Sequence, residues 1–183
     1  MFTSSLMWLS VPVDVKGKYL QKIRETKVAD KSWNLKHLQV ISQAYAKAPF
    51  FKEHKEWLEN LYRNCTFDYL SEINYYFITE LNKLLGITTK VVFDTEFELS
   101  GDKSQRLLNI CKELKADEYY SGPAAQSYLD EELFNEQGVE VKYWDYSGYE
   151  PYRQLSDEFE HGVSVFDLIF CEGVEASKYM KFL

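Results

Sequence analysis

Two hydrophobic rhythms run along the chain. Between residues 33 and 85 the apolar positions recur at helical spacing. Trp33, His37, Val40, Ile41, Ala44 and Tyr45 fall at i, i+4, i+7 and i+8, the stripe of an amphipathic helix. Asp30 or Ser32 can cap it, and Pro49 requires it to have ended. A second helix is predicted over 51–63, with Phe51, His54, Leu58, Leu61 and Tyr62 facing inward. A third is predicted over 68–85, with Leu70, Ile73, Phe77, Leu81 and Leu84 inward and Gly86 as its cap. Ahead of these, 7–13 reads as a strand that Pro12 places at an edge or ends. Residues 16–18 read as a turn and 21–26 as a second short strand; nothing anchors the first five residues.

From residue 87 the rhythm changes. The β-branched and aromatic run 87–93 predicts a strand. Leu107, Leu108, Ile110, Cys111 and Leu114 predict a helix over 103–115. A short strand follows at 118–121, then helix in one or two pieces over 124–137, then a strand over 139–146. Strands alternating with helices imply an α/β fold: a three-layer, mainly parallel sheet on a βαβαβ core (87–146), with an N-terminal helical group beside or upon it. Ligands of such sheets bind beyond the carboxyl ends of the strands, here 100–104, 121–123 and 145–152. Further on, 147–151 is a loop by composition. Ser164 to Asp167 reads as a capping box with Asp in place of Glu, opening a buried helix over 165–170 that Gly173 closes. A last helix is predicted over 174–182. No repeat or linker divides the 183 residues, so a single domain, 1–183, is expected.

Composition narrows the function classes. With 45% apolar and 16% aromatic residues the chain folds around a substantial core. Its fourteen Tyr and twelve Phe suit either that core or a sugar-stacking surface. A formal charge of −8 argues against nucleic acid as partner, because phosphate neutralisation needs clustered cations. Cys65, Cys111 and Cys171 form no CxxC pair, so no disulfide framework or zinc site is indicated, and a cytoplasmic setting fits. No apolar run approaches the roughly 20 residues of a membrane span, and no signal peptide is legible.

Chemistry is sparsely marked. Ser121-Gly122-Pro123 places a glycine and an N1 proline where a strand feeds a helix; it reads as an anion cradle or as a tight βα turn. A Cβ at Gly122 is expected to cost about 1 kcal/mol or more if φ is positive there or a ligand lies close, and more than one at Gly17. Lys103, Ser104 and Arg106 open the preceding helix and either bind an anionic substrate or form a solvated first turn. His37 and His54 read as packed, hydrogen-bonded histidines. His161, near Asp157, Glu158 and Glu160, is the candidate general acid or base, or a turn histidine. Asp167 reads as a helix cap first and as its catalytic partner second. No G-x-S-x-G, P-loop, GxGxxG or HExxH pattern occurs, so no cofactor and no metal is named.

As a set, several segments resemble the WbqC-like protein family over nearly the whole chain. They are Trp8-Leu9-Ser10-Val11-Pro12-Val13, Trp33 with His37-Leu38, Tyr45 to Phe50, Leu107 to Cys111, Tyr120 to Ala125 with Tyr128-Leu129, and His161 to Phe170 with Gly173. The resemblance implies a transferase of bacterial surface-polysaccharide (O-antigen) synthesis, moving glycine or another small acyl group onto a sugar. It adds Tyr128 to the substrate-binding set and implies a nucleotide-sugar, sugar or amino acid as small-molecule substrate. Family members usually carry a further N-terminal segment with His-Gln-Pro and Pro-Trp-x-Gly-Tyr-Phe motifs, and this sequence is expected to start after it. A competing expectation follows: a non-catalytic scaffold whose exposed sheet edge near 8–13 pairs with a protein partner or a second copy.

Overall fold

A computed structural model describes residues 6–181. The first five residues, for which the sequence offered no anchor, and the end of the last expected helix lie outside them. The chain forms two compact units, residues 1–89 with 149–183, and residues 90–148.

The first unit is helical. α1 (Trp33–Ala44), α2 (Phe51–Asn64) and α3 (Leu70–Leu85) follow the predicted stripes to within a residue or two. Ser32 occupies the α1 N-cap but makes no side-chain cap. Asp30 instead holds the turn, accepting hydrogen bonds from Ser32 N–H and Oγ at 2.8 and 2.7 Å and pairing with Lys36. Buried Asn34 donates from Nδ2 to the carbonyls of Tyr62 and Cys65 at 3.0 and 3.3 Å, satisfying groups that the end of α2 leaves free. The core is aromatic: Phe170 is fully buried, with Tyr45 and Phe51 at 5.2 Å and Phe166 stacked at 5.9 Å.

Phe166 and Phe170 stand on the predicted buried helix, Val165–Glu172, the sixth α-helix among the described residues, which ends at Gly173 (φ +57°). A Cβ on Gly173 would lie 2.5 Å from the Phe50 ring, so the backbone conformation and the space both require glycine. The final stretch, where a last helix was expected, winds as a 3-10 helix, Gly173–Tyr179.

The second unit holds α4 (Lys103–Glu113), β1 (Glu118–Ser121), α5 (Glu131–Asn135) and β2 (Glu140–Tyr143). β1 and β2 are parallel, with Glu118 opposite Glu140 and Ser121 opposite Tyr143. The crossover comes in two pieces, a 3-10 helix Pro123–Ser127 and α5, which opens where Asp130 Oδ1 accepts from Leu133 N–H at 3.1 Å. Leu108, Cys111, Leu129, Phe134 and Val139 form a separate core. With α4 ahead of it this is a mixed helix-and-strand unit, as an α/β reading requires, with a sheet of two strands among the described residues.

Residues 87–93 form no strand, so the expected five-element βαβαβ core lacks its first member. Their β-branched composition favours a strand only where a neighbour offers a backbone to pair with, and the boundary between the two units falls inside this run. The strand expected at 7–13 is reduced to one antiparallel bridge, Val13 with Val28, and residues 23–25 of the second expected strand make a 3-10 turn. The sheet edge on which strand pairing with a partner was expected is therefore missing there.

Candidate functional site

The helical unit contains a cavity of about 610 Å³. Aromatic and aliphatic side chains from α1, α3 and the N-terminal stretch line it, and Gly162, Val163 and Ser164 form part of its wall. Seven side chains there carry polar groups: the indoles of Trp8 and Trp33, the phenols of Tyr45 and Tyr62, and His37, Asn74 and Ser164. A mostly apolar concavity with a few convergent polar groups is the usual form of a small-molecule site.

His37 is buried, edge-on to Trp33 at 5.1 Å, with its Nε2 3.2 Å from the Ser10 carbonyl. Burial lowers its pKa, with the Ser10 contact opposing, so it is neutral at pH 7. The carbonyl requires the proton on Nε2, which leaves Nδ1 as an acceptor. His54 does not follow the hydrogen-bonded expectation: its Nε2 is buried without a partner.

Asp167 is 6% exposed and serves the loop ahead of its helix more than the helix start. Ser164 caps that helix alone, accepting from Phe166 N–H at 3.4 Å. The Asp167 carboxylate does not close the expected box on the backbone; it accepts from Tyr152 OH at 2.8 Å. The reason is burial, since a carboxylate out of water needs strong donors, and phenolic hydroxyls supply them. Tyr45 is a second neighbour: its pKa is raised by burial and then by the Asp167 charge and hydrogen bond.

From Tyr152 the network continues. Gln154 Nε2 reaches Tyr152 OH at 3.4 Å. The same amide clamps Glu160 with two hydrogen bonds, Nε2 to its carbonyl at 2.9 Å and Oε1 from its N–H at 2.8 Å. The Glu160 carboxylate then accepts from Gly162 N–H at 2.8 Å. A buried charge is thus tied, through two side chains, to the turn that carries His161 and enters the cavity wall. His161 is exposed, its ring edge-on to Phe159 at 4.6 Å, and Phe159 is edge-on to Tyr152 at 5.1 Å. No hydrogen bond joins His161 to Asp167 among the described residues. Asp167 therefore positions the His161 loop and does not polarise the imidazole. Tyr45, Tyr152 and Gln154 were not singled out by sequence, although Tyr152 closes the 145–152 segment expected at a strand end and Tyr45 lay in a segment carrying the family resemblance.

In the second unit, Ser104 is buried and its Oγ accepts from Asp130 N–H at 3.0 Å, joining α4 to the start of α5. Lys103 lies over the Tyr128 ring at 5.6 Å, and Arg106 is exposed. Asp102 caps α4, accepting from Gln105 N–H at 2.9 Å. Ser121 ends β1, its carbonyl accepting from Trp144 N–H at 2.9 Å. Gly122 is extended (φ −73°, ψ 154°), and a Cβ there would only touch Tyr146 OH at 3.6 Å. Neither its conformation nor its surroundings demand glycine, and Gly17, at φ +75°, is the more constrained of the two. That reverses the order expected from sequence. Pro123 does occupy the first turn of the 3-10 helix, as expected.

The three cysteines are buried and free. Among the described residues no cluster of metal-ligating side chains occurs, and no helix is long and apolar enough to cross a membrane.

The model of the WbqC-like protein family matches residues 2–179, through both units, and the chain belongs to that family. It is similar to the uncharacterized protein Rv1507c of Mycobacterium tuberculosis, with 38% identity over 180 residues, covering 98% of this chain and 78% of the relative. No solved structure matches.

Proposed function

We propose that this protein is a transferase of bacterial surface-polysaccharide (O-antigen) synthesis, acting in the cytoplasm and placing glycine or another small acyl group on a sugar. The observation that carries this reading is the aromatic-walled cavity with His37, Tyr45 and Ser164 on it, bounded by the loop that follows His161. Aromatic faces suit a sugar ring, and a few fixed polar groups set its orientation. In the proposed reaction the sugar's hydroxyl or amine attacks the acyl carbon, His161 takes the proton, and the donor's leaving group departs with the bonding pair. Asp167 supports the reaction by holding the His161 loop.

The family match runs through residues 2–179. Within residues 90–148, Lys103, Arg106, Ser121, Gly122 and Tyr128 are proposed to bind an anionic group such as the phosphates of a nucleotide-sugar, with Ser104 fixing the helix that presents Lys103 and Arg106. The test is ligand-observed NMR against nucleotide-sugars and amino acids, followed by turnover of whatever binds. Ala44→Trp, which fills the cavity, should abolish binding; His161→Asn should bind yet not turn over. Arg106→Ala should weaken only phosphate-bearing ligands. Unchanged binding in Ala44→Trp would remove the cavity from the reading.

A further inference from the structure

Among the described residues the two most exposed large apolar side chains, Leu20 and Tyr19, lie on one short loop. Its base is pinned: Val13 bridges Val28, Asp14 N–H donates to the Lys27 carbonyl at 2.8 Å, and Lys27 bridges Tyr69 at the foot of α3. Gln21 braces the interior, its Nε2 donating to Thr26 Oγ1 at 2.9 Å. Beyond that base the tip turns outward, with Tyr19 95%, Leu20 98% and Ile23 75% exposed. Large aliphatic groups held in water by a braced loop oppose the hydrophobic effect unless something covers them.

Charge says what covers them. The chain carries a formal −8, yet residues 15–24 hold Lys16, Lys18, Lys22 and Arg24 and no acid. Lys18 is paired with Asp14 at 2.5 Å, whereas Lys16, Lys22 and Arg24 are exposed among the apolar tips. Aliphatic and aromatic tips ringed by cations match the boundary of an anionic bilayer, where acyl chains take the former and lipid phosphates the latter. A second copy fits poorly, because a two-fold contact would set these cations against themselves. A nucleic acid has no use for Leu20 and Ile23. A protein partner needs roughly 20–30 residues a side, far more than this tip supplies.

We propose that the loop 15–24 docks this protein peripherally on an anionic lipid surface, with Tyr19, Leu20 and Ile23 entering the headgroup region and Lys16, Lys22 and Arg24 on the phosphates.

The experiment is vesicle flotation of the full chain with phosphatidylcholine vesicles, with and without phosphatidylglycerol, over a salt series. Binding should require phosphatidylglycerol and weaken as salt rises. Lys22→Ala and Arg24→Ala should each lower the partition about fivefold. Leu20→Ser with Ile23→Ser should lower it at least tenfold, by roughly the value of two apolar side chains leaving water. Unchanged thermal unfolding in both variant sets shows that the fold survives. The proposal is overturned if phosphatidylcholine alone binds equally well, or if phosphatidylglycerol vesicles leave the protein behind. It also fails if light scattering shows a concentration-dependent dimer that Leu20→Ser with Ile23→Ser abolishes while vesicles do not bind, which would assign the tip to a second copy.

Discussion

The two units bury polar groups in different ways. In the helical unit Asp167, His37 and Asn34 are interior, and each is held by a partner distant in sequence: Tyr152, Ser10 and Tyr62. In the second unit the buried set is apolar except for Ser104, whose single bond joins α4 to Asp130, and the ion pairs of Lys142 with Glu118 and Glu140 lie at the surface of the sheet. Exposed pairs of that kind contribute about 0–1 kcal/mol, whereas an interior carboxylate deprived of its donors is costly. The helical unit thus ties its interior polar groups, one buried charge among them, to partners far along the chain, and the second unit spreads its charges over a surface.

Substitutions can break this contrast, starting with the largest effect. Gly173→Ala adds a Cβ against Phe50 at a φ of +57° and should cost about 3 kcal/mol or more in urea unfolding. A loss below 1 kcal/mol would mean that the helix end is less constrained than its geometry implies. Asp167→Ala takes the acceptor from the half-buried Tyr152 hydroxyl and should cost about 2 kcal/mol, while Asp167→Asn keeps an acceptor and should cost less than half of that. Equal losses for the two would show that charge, and not hydrogen bonding, holds the network. In the second unit Ser104→Ala removes one neutral bond and should cost only about 1 kcal/mol. At the small end, Gly122→Ala should stay within about 0.5 kcal/mol, and Gly17→Ala should exceed it at about 1 kcal/mol.

The helical unit should also respond to alkali. Burial pushes the Cys65 thiol up to about 11 and, with the nearby Asp167, the Cys171 thiol up to about 12. Burial raises Tyr45 and Tyr152 as well. Unfolded thiols ionise near pH 8.5 and phenols near 10. The native state therefore keeps protons that the unfolded chain loses, so stability is complete below about pH 8.5 and falls as pH rises toward 11–12. Thermal unfolding across that range should show a falling Tm, and the decline should be shallower in Cys171→Ala.

Much of this contrast was legible in the sequence, and unevenly. The stripes of Trp33 to Tyr45 and Phe51 to Tyr62 placed two helices because their signal is local and repeats every turn. The capped, mostly apolar run after Ser164 did the same for its helix, the strand at Glu118–Ser121 was also foreseen, and the broken crossover was one of the two forms expected. The run Ile87 to Phe93 misled, because strand formation depends on a partner that composition does not name. At the candidate site, Asp167 and His161 stood out by residue type. Tyr152 and Gln154 did not, since they sit in an aperiodic loop and gain meaning only when the chain brings them to residues 160–167.

Residue-resolved hydrogen exchange in Tyr152→Phe addresses the central claim most directly, because it reads both units at once. The claim is that Asp167, through Tyr152 and Gln154, holds the 160–162 turn beside the cavity. The predicted result is faster exchange at the amides of Glu160 and Gly162, with β1 and β2 unchanged. Unchanged exchange at Glu160 and Gly162, or an equal increase across both units, would contradict it.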